Sequence, residues 1–145
     1  MRNAEQRQAY DIVTWHLDQT LARCSPLPLR MVTYGEGGTG KSKVLQTIST
    51  AFKAQHQEHI LLKAAYTGSA ASLVNGKTTH IVGGISMSLS QFDGEKTISD
   101  EARCKLQHLW QDYQYLAIDE MSMLSKDFFA PHMIERLCNH TWSAE

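Results

Sequence analysis

The sequence of 145 residues predicts an α/β fold, a parallel sheet with helices packed on it. Three short apolar segments alternate with segments of helical periodicity, an order typical of parallel strands joined by helices. Each apolar segment runs into a polar or glycine-rich turn: Gly35–Ser42, Thr67–Gly68 and Asp119–Glu120. Because parallel sheets bind ligands beyond the carboxyl ends of their strands, these turns predict one binding edge.

The first elements follow from periodicity and from helix-stopping residues. Apolar residues recur at helical spacing from Asn3 to about Leu21, which predicts an amphipathic helix. Ser25–Pro28 stops that helix, and the apolar run Leu29–Tyr34 predicts the first strand. A second helix is expected from Thr39 or Gly40 to about His56.

The middle of the chain predicts a strand, a helix and a turn. His59–Tyr66 is mostly apolar, as a buried parallel strand should be. A short helix is expected over Ala70–Val74, followed by a turn at Asn75–Gly76. Residues 83–100 are rich in glycine, serine and aspartate and predict irregular surface structure.

The last third predicts a helix, a strand and a terminal helical region. Asp100 can cap a helix that runs through Trp110. Tyr113–Ile118 predicts the third strand. A last helical region is expected to begin at Ser122 or Ser125, and Pro131 either kinks it or opens its second part.

The segment from Gly35 to Ser42 fits the phosphate-binding pattern G-x-x-x-x-G-K-[ST] in full. Its glycines allow backbone amides to point inward, and the following helix directs the positive end of its dipole at the phosphates. Lys41 would reach the β- and γ-phosphates, and the Ser42 hydroxyl would ligate Mg²⁺. The predicted nucleotide-binding residues are Gly35, Glu36, Gly37, Gly38, Thr39, Gly40, Lys41 and Ser42. The alternative is a glycine-rich surface turn before an ordinary helix.

Asp119 and Glu120 end an apolar segment with two carboxylates. Beside a phosphate loop, a strand-end aspartate holds Mg²⁺, usually through water. An acidic residue next to it can orient and deprotonate the attacking water, so the pair predicts hydrolysis. The alternative is that Asp119 caps the next helix and Glu120 is a solvated residue of its first turn.

Gln6 precedes most of the amphipathic first helix. Its amide has both donor and acceptor atoms, so it can read the paired donor and acceptor edge of adenine. The alternative is an exposed glutamine on a helix surface.

Composition favours one soluble globular domain, with 42% hydrophobic and 20% charged residues. No apolar stretch is long enough to span a bilayer, and the N-terminus lacks the apolar core of a secretion signal. Cys24, Cys104 and Cys138 have no metal or redox spacing, as expected of reduced thiols in an intracellular protein. The net charge of −1 provides no general attraction for nucleic acid, so any such binding needs local features.

Five blocks of sequence resemble the N-terminal motor domain of superfamily 1 DNA helicases of the PIF type (petite integration frequency), including relatives carried by Helitron transposons. Residues 3–9 resemble the adenine-reading Q motif, and Gly35–Ser42 resembles motif I. Ala65–Ala71 resembles motif Ia, and Asn75–His80 resembles the Gly-x-Thr-x-His element behind it. Ile118–Met123 is similar to motif II.

The resemblance implies a RecA-like P-loop NTPase that uses ATP and Mg²⁺ to move along single-stranded DNA in the 5′ to 3′ direction. It implies that Lys41, Asp119 and Glu120 are catalytic, that Ser42 and Asp119 hold the metal, and that Gln6 contacts the adenine. From the resemblance we also expect a role in DNA repair, recombination and telomere maintenance, in the nucleus or the mitochondrion.

The resemblance also implies that Thr67, Gly68, Thr78 and His80 lie along the DNA path. Short polar side chains and backbone amides can hold phosphates without a basic surface, which suits a nearly neutral chain. The structural alternatives are a partly buried histidine at position 80 and a helix cap at position 78.

The family continues with a Gly-Asp-x-x-Gln-Leu-Pro sensor motif and a second RecA-like domain that supplies arginines to the ATP site. Neither is found in these 145 residues. We therefore expect an incomplete domain: residues 1–28 form the Q-motif helix and linker, 29–123 the nucleotide-binding core, and 124–145 a terminal helical region. A gap in the sheet, marginal stability, weak or absent DNA binding and little unwinding are expected of it.

Two other functions remain open from the sequence. One is a stand-alone nucleotide-binding module or degenerate transposon fragment without helicase activity. The other is a small P-loop kinase, which the Asp119–Glu120 pair and the Q motif disfavour.

Overall fold

The computed structural model describes residues 4–83 and 100–124. The chain divides into two compact units, Met1–Glu58 and His59–Glu145. The described part is a small α/β structure whose three strands form one parallel sheet, which confirms the predicted α/β class. Among the described residues, no helix is both long and apolar enough to cross a lipid bilayer.

From residue 4 onward, the first unit contains two helices, α1 at Ala4–Leu21 and α2 at Lys41–Ala54, which pack against each other. Each buries a stripe of residues spaced four apart, which is the face that one side of a helix presents. The buried stripes are Ala9, Val13 and Leu17 in α1, and Val44, Ile48 and Phe52 in α2. Both helices confirm the sequence prediction, because periodicity of this kind is a local signal.

The strand predicted over Leu29–Tyr34 is wrong. Residues 24–36 contain neither helix nor strand, and the side chains of Leu27 and Tyr34 are each 87% exposed. An apolar run gives strand propensity, but a strand also needs a neighbour that pairs with its backbone. Within the described residues, no strand pairs with this segment.

The sheet lies in the second unit, with β1 (Leu61–Ala65) between β2 (Lys77–Thr78) and β3 (Tyr115–Asp119). Both pairings are parallel. The predicted second and third strands are therefore present, each slightly shorter than expected. The two-residue β2 was not predicted, because two residues are too few for a periodic pattern. A 3₁₀ turn, Glu58–Ile60, precedes β1.

Among the described residues, three helices accompany the sheet: α3 at Gly68–Leu73, α4 at Thr79–Gly83 and α5 at Asp100–Trp110. The sequence predicted α3 and α5 but not α4. A 3₁₀ turn, Met121–Met123, follows β3. Residues 84–99, most of the stretch predicted to be irregular, lie outside the described residues, as do Ser125 and Pro131.

The core of the second unit forms around β1. Leu62 and Ala64 are buried with Val82 of α4 and Trp110 of α5. The Trp110 indole N–H donates a hydrogen bond to the Val82 carbonyl oxygen at 3.2 Å, which satisfies a polar group inside an apolar cluster. This core fixes β1 and α4, the elements that carry the polar turns described below.

The turn predicted at Asn75–Gly76 is present. Asn75 has φ of 52°, a left-handed conformation that asparagine tolerates better than most residues. A Cβ on Gly76 would collide with the carbonyl oxygen of Lys63. Only glycine fits where the turn passes this close to β1.

We predict that Phe52→Ala destabilises the chain by about 3–5 kcal/mol. Phe52 is fully buried, so its truncation leaves a cavity in the first unit. The control is Trp15→Ala, which also removes an aromatic ring but from a side chain that is 60% exposed. Urea unfolding followed by circular dichroism measures both. Equal losses of stability in the two variants would contradict the assigned core.

Candidate functional site

The phosphate loop leads directly into α2, and two of its glycines have left-handed backbones. Gly38 has φ of 79° and Gly40 has φ of 88°, a region that other residues enter at a cost. A Cβ on Gly37 or Gly38 would meet no atom within 4 Å, so the space beside this part of the loop is open. Left-handed glycines therefore shape the loop, which is open beside Gly37 and Gly38.

Lys41 is held over the loop by backbone oxygens. Its ammonium group donates to the Gly35 carbonyl at 2.7 Å and to the Glu36 carbonyl at 2.8 Å. An ammonium group has three N–H donors. One donor therefore remains for an anion, and the two bonds fix the ammonium group at the start of the loop.

The start of α2 has the donors that an anion needs. Within the described residues, the amides of Lys41, Ser42 and Lys43 make no backbone hydrogen bond, and no side chain caps the helix at Gly40. Unsatisfied amides and the helix dipole together favour negative charge at this end. Ser42, whose side chain is exposed, lies in this first turn. Residues of this kind fit a triphosphate and an oxygen-bound cation.

Gln6 reaches the same loop from α1. Its side-chain amide donates to the Thr39 carbonyl at 2.8 Å. Thr39 in turn donates its hydroxyl to the Glu36 carbonyl at 2.8 Å. A Cβ on Gly40 would lie 2.7 Å from the Gln6 amide nitrogen, so Gly40 also makes room for this contact. The sequence pattern placed Gln6 near the nucleotide but did not reveal its bond to the loop.

In the second unit, the strand register brings the remaining predicted residues to one edge of the sheet. Ala65, the last residue of β1, pairs with Thr78 on one side and with Asp119 on the other. Thr67–Gly68, Thr78–His80 and Asp119–Glu120 therefore all lie at the carboxyl ends of adjacent parallel strands. The phosphate loop belongs to the first unit.

The Asp119–Glu120 pair forms a sharp turn after β3. Glu120 has φ of 55° and ψ of 40°, the left-handed conformation, and its amide donates to Asp119 Oδ1 at 3.0 Å. The cap position of the following 3₁₀ turn is Glu120, and no side chain caps that turn, so Asp119 does not cap it. The rest of the helical region expected after it lies outside the described residues. Left-handed non-glycine residues cost free energy and cluster at functional sites. Asp119 keeps its second oxygen for a ligand, and the Glu120 side chain is exposed.

The residues expected along DNA also have structural contacts. Thr67 caps α3, because its hydroxyl oxygen accepts a hydrogen bond from the Ala70 amide at 3.2 Å. The Thr78 hydroxyl lies 3.5 Å from the Ile81 amide at the start of α4, which supports the helix-cap alternative. His80 is half-buried and its ring contacts that of Tyr66. A Cβ on Gly68 would meet no atom within 4 Å, so the edge is open there.

A glycine-rich loop at the start of a helix is typical of proteins that bind anions such as phosphates. A family model described as PIF1-like helicase matches residues 1–139. The chain therefore belongs to the PIF1-like helicase family, which confirms the resemblance found in its motifs.

Three curated relatives are similar to this chain. It is 34% identical to the ATP-dependent DNA helicase RRM3 of Saccharomyces cerevisiae over 95 residues, 62% of this chain and 12% of that protein. It is 32% identical to the ATP-dependent DNA helicase PIF1 of Xenopus laevis over 113 residues, 77% of this chain and 17% of that protein. The PIF1 helicase of Saccharomyces cerevisiae is 33% identical over 95 residues, 64% of this chain and 11% of that protein.

The chain thus spans between 11% and 17% of the length of these relatives. No solved structure matches it.

We predict that Gly40→Ala destabilises the first unit by about 1–2 kcal/mol, the cost of a left-handed backbone for a residue with a Cβ. The added methyl group would also displace Gln6. Gly37→Ala is the matched control, because Gly37 lacks a positive φ and has open space around it. Denaturant unfolding measures both variants. If Gly37→Ala costs as much as Gly40→Ala, the loop conformation is wrong.

We predict that Glu120→Gly is more stable than Glu120→Gln by about 1 kcal/mol. Both substitutions remove the carboxylate, but only glycine removes the Cβ that is strained at φ of 55°. Thermal unfolding of the two variants side by side isolates the backbone effect. A glycine variant less stable than the glutamine variant would contradict the left-handed turn.

Proposed function

We propose that this chain is the ATP-binding N-terminal part of an ATP-dependent DNA helicase, with a RecA-like core. The observation that carries the proposal is the position of Lys41 over an open loop, held by the carbonyls of Gly35 and Glu36. Family membership supports the helicase class, and the names of the relatives describe ATP-dependent DNA helicases.

Each part of the first unit has a role in this proposal. Lys41 and the first amides of α2 bind the β- and γ-phosphates, where most catalysis of phosphoryl transfer lies. Gln6 keeps its amide oxygen and one N–H for the adenine edge while its other N–H holds Thr39. The residue that contacts the adenine and the loop that binds the phosphates would thus be joined by a hydrogen bond.

In this proposal, side-chain oxygens hold the Mg²⁺ ion and position the attacking water. Ser42 and Asp119 would hold Mg²⁺, which prefers one or two protein oxygens together with phosphates and water. Bound Mg²⁺ would neutralise charge that develops on the phosphate oxygens. Within the described residues, no cluster of three or more metal-ligating side chains exists, and a nucleotide-bound Mg²⁺ does not require one. Glu120 would orient the attacking water and take its proton.

Single-stranded DNA is the proposed second ligand. Thr67, Gly68, Thr78 and His80 lie at the open carboxyl edge, where hydroxyl groups and amides would contact phosphates. From the family resemblance we also propose movement from 5′ to 3′ along the DNA. The same resemblance is the basis for proposing roles in repair, recombination and telomere maintenance, and a nuclear or mitochondrial location. Translocation needs two domains that close on ATP and reopen. We therefore assign unwinding to the complete enzyme, in which a second RecA-like domain supplies arginines.

We predict that Lys41→Ala weakens ATP binding by about 10- to 100-fold, since it removes a charged donor to the phosphates. The control is Lys53→Ala, which makes the same change in the last turn of α2, at an exposed position. Titration calorimetry with ATP and Mg²⁺ measures both. Unchanged binding in Lys41→Ala, or none in the wild-type chain, would overturn the proposal.

Turnover distinguishes a helicase motor from a stand-alone nucleotide-binding module. Because the incomplete domain is expected to bind DNA weakly, oligo-dT is added in large excess over the chain. We expect slow phosphate release from the wild-type chain that rises under this excess of oligo-dT, and loss of release in Glu120→Gln with ATP binding retained. ATP binding without any stimulation by DNA would favour the binding module.

A further inference from the structure

Two aromatic rings meet at the carboxyl edge of the sheet. Tyr66 follows β1 directly, and His80 is the second residue of α4. Their ring centroids lie 5.2 Å apart with an angle of 51° between the planes, a tilted contact of two rings. Both side chains are half-buried, so each also keeps some surface in solvent.

The position of this pair matters because polar groups adjoin it on both strands. Ala65 pairs with Thr78, so the residues that follow them start from neighbouring points of the edge. Tyr66 immediately precedes Thr67 and Gly68, and His80 lies two residues after Thr78. The rings therefore lie among the groups proposed to hold DNA phosphates, where a base attached to those phosphates would arrive.

We propose that Tyr66, braced by the His80 ring, is a stacking platform for one base of single-stranded DNA. The inference rests on the proposed function, and it adds a base contact to an edge so far assigned only phosphate contacts. Every base has a flat π-face, so an aromatic ring binds it with little dependence on sequence.

The charge of the chain makes such a contact useful. With a net charge of −1, the chain has no general electrostatic attraction for the phosphates of DNA. Stacking supplies affinity that does not depend on phosphates. It also favours single strands, because the bases of a duplex are already stacked on each other.

The test compares the binding of single-stranded DNA that carries bases with the binding of a strand that lacks them. Fluorescence anisotropy measures binding of labelled oligo-dT and of an abasic oligonucleotide of the same length to the 145-residue chain. We expect the wild type to prefer oligo-dT, and Tyr66→Ala to bind oligo-dT about tenfold more weakly with unchanged binding of the abasic strand. Tyr66→Phe should retain the preference, and Tyr66→Leu should lose it. Tyr34→Ala, which removes an exposed tyrosine of the first unit, is the control.

Photo-crosslinking provides a second readout that a purely structural tyrosine would not produce. Oligonucleotides with 5-iododeoxyuridine crosslink to aromatic rings in contact with the base, and mass spectrometry should locate the crosslink at Tyr66. Crosslinking of the wild-type chain does not depend on whether Tyr66→Ala folds.

Three results would overturn the inference. They are equal weakening of oligo-dT and abasic binding in Tyr66→Ala, an unchanged base preference in that variant, or no binding of oligo-dT by the wild type. In the first two cases the proposed function survives, because DNA still binds. In the third case, ATP binding to the wild type and its loss in Lys41→Ala show whether the nucleotide part of the proposal stands.

Discussion

The parallel register of β1 is the constraint on which the second unit depends. Because Ala65 pairs with Thr78 and with Asp119 at once, three strands end at the same level. The buried side chains of Leu62 and Ala64 hold β1 between its neighbours. A register shift of one residue would reverse the face of every side chain on the strand, so the packing of the core also sets the positions of the polar edge.

The phosphate loop depends on a different and more local set of constraints. Left-handed glycines shape it, and Lys41 and Thr39 stabilise it through hydrogen bonds to carbonyls of the loop itself. Gln6 adds a bond from a helix more than thirty residues earlier in the chain. A loop held this way needs little reorganisation to accept phosphates, which lowers the entropy cost of binding.

Local sequence patterns predicted some elements of the structure, and other elements depend on contacts between distant residues. Helices α1 and α2 were predictable, since their buried stripes follow a spacing that lies within one segment. The strand expected at Leu29–Tyr34 was wrong, because pairing depends on a distant partner. Strand β2 was too short to predict. The motif identified Lys41 and Glu120, but the left-handed turn at Glu120 and the bond from Gln6 to Thr39 come from tertiary structure. No pattern of residue types encodes them.

Hydrogen exchange of the loop amides tests the central proposal, that this chain binds ATP through the start of α2. The amides of Lys41, Ser42 and Lys43 make no backbone hydrogen bond in the described structure, so they should exchange quickly in the free chain. Addition of ATP and Mg²⁺ should slow exchange in the peptide that contains them, and the peptides of the exposed segment 24–34 should not change. Exchange at the start of α2 that is indifferent to ATP would contradict the account.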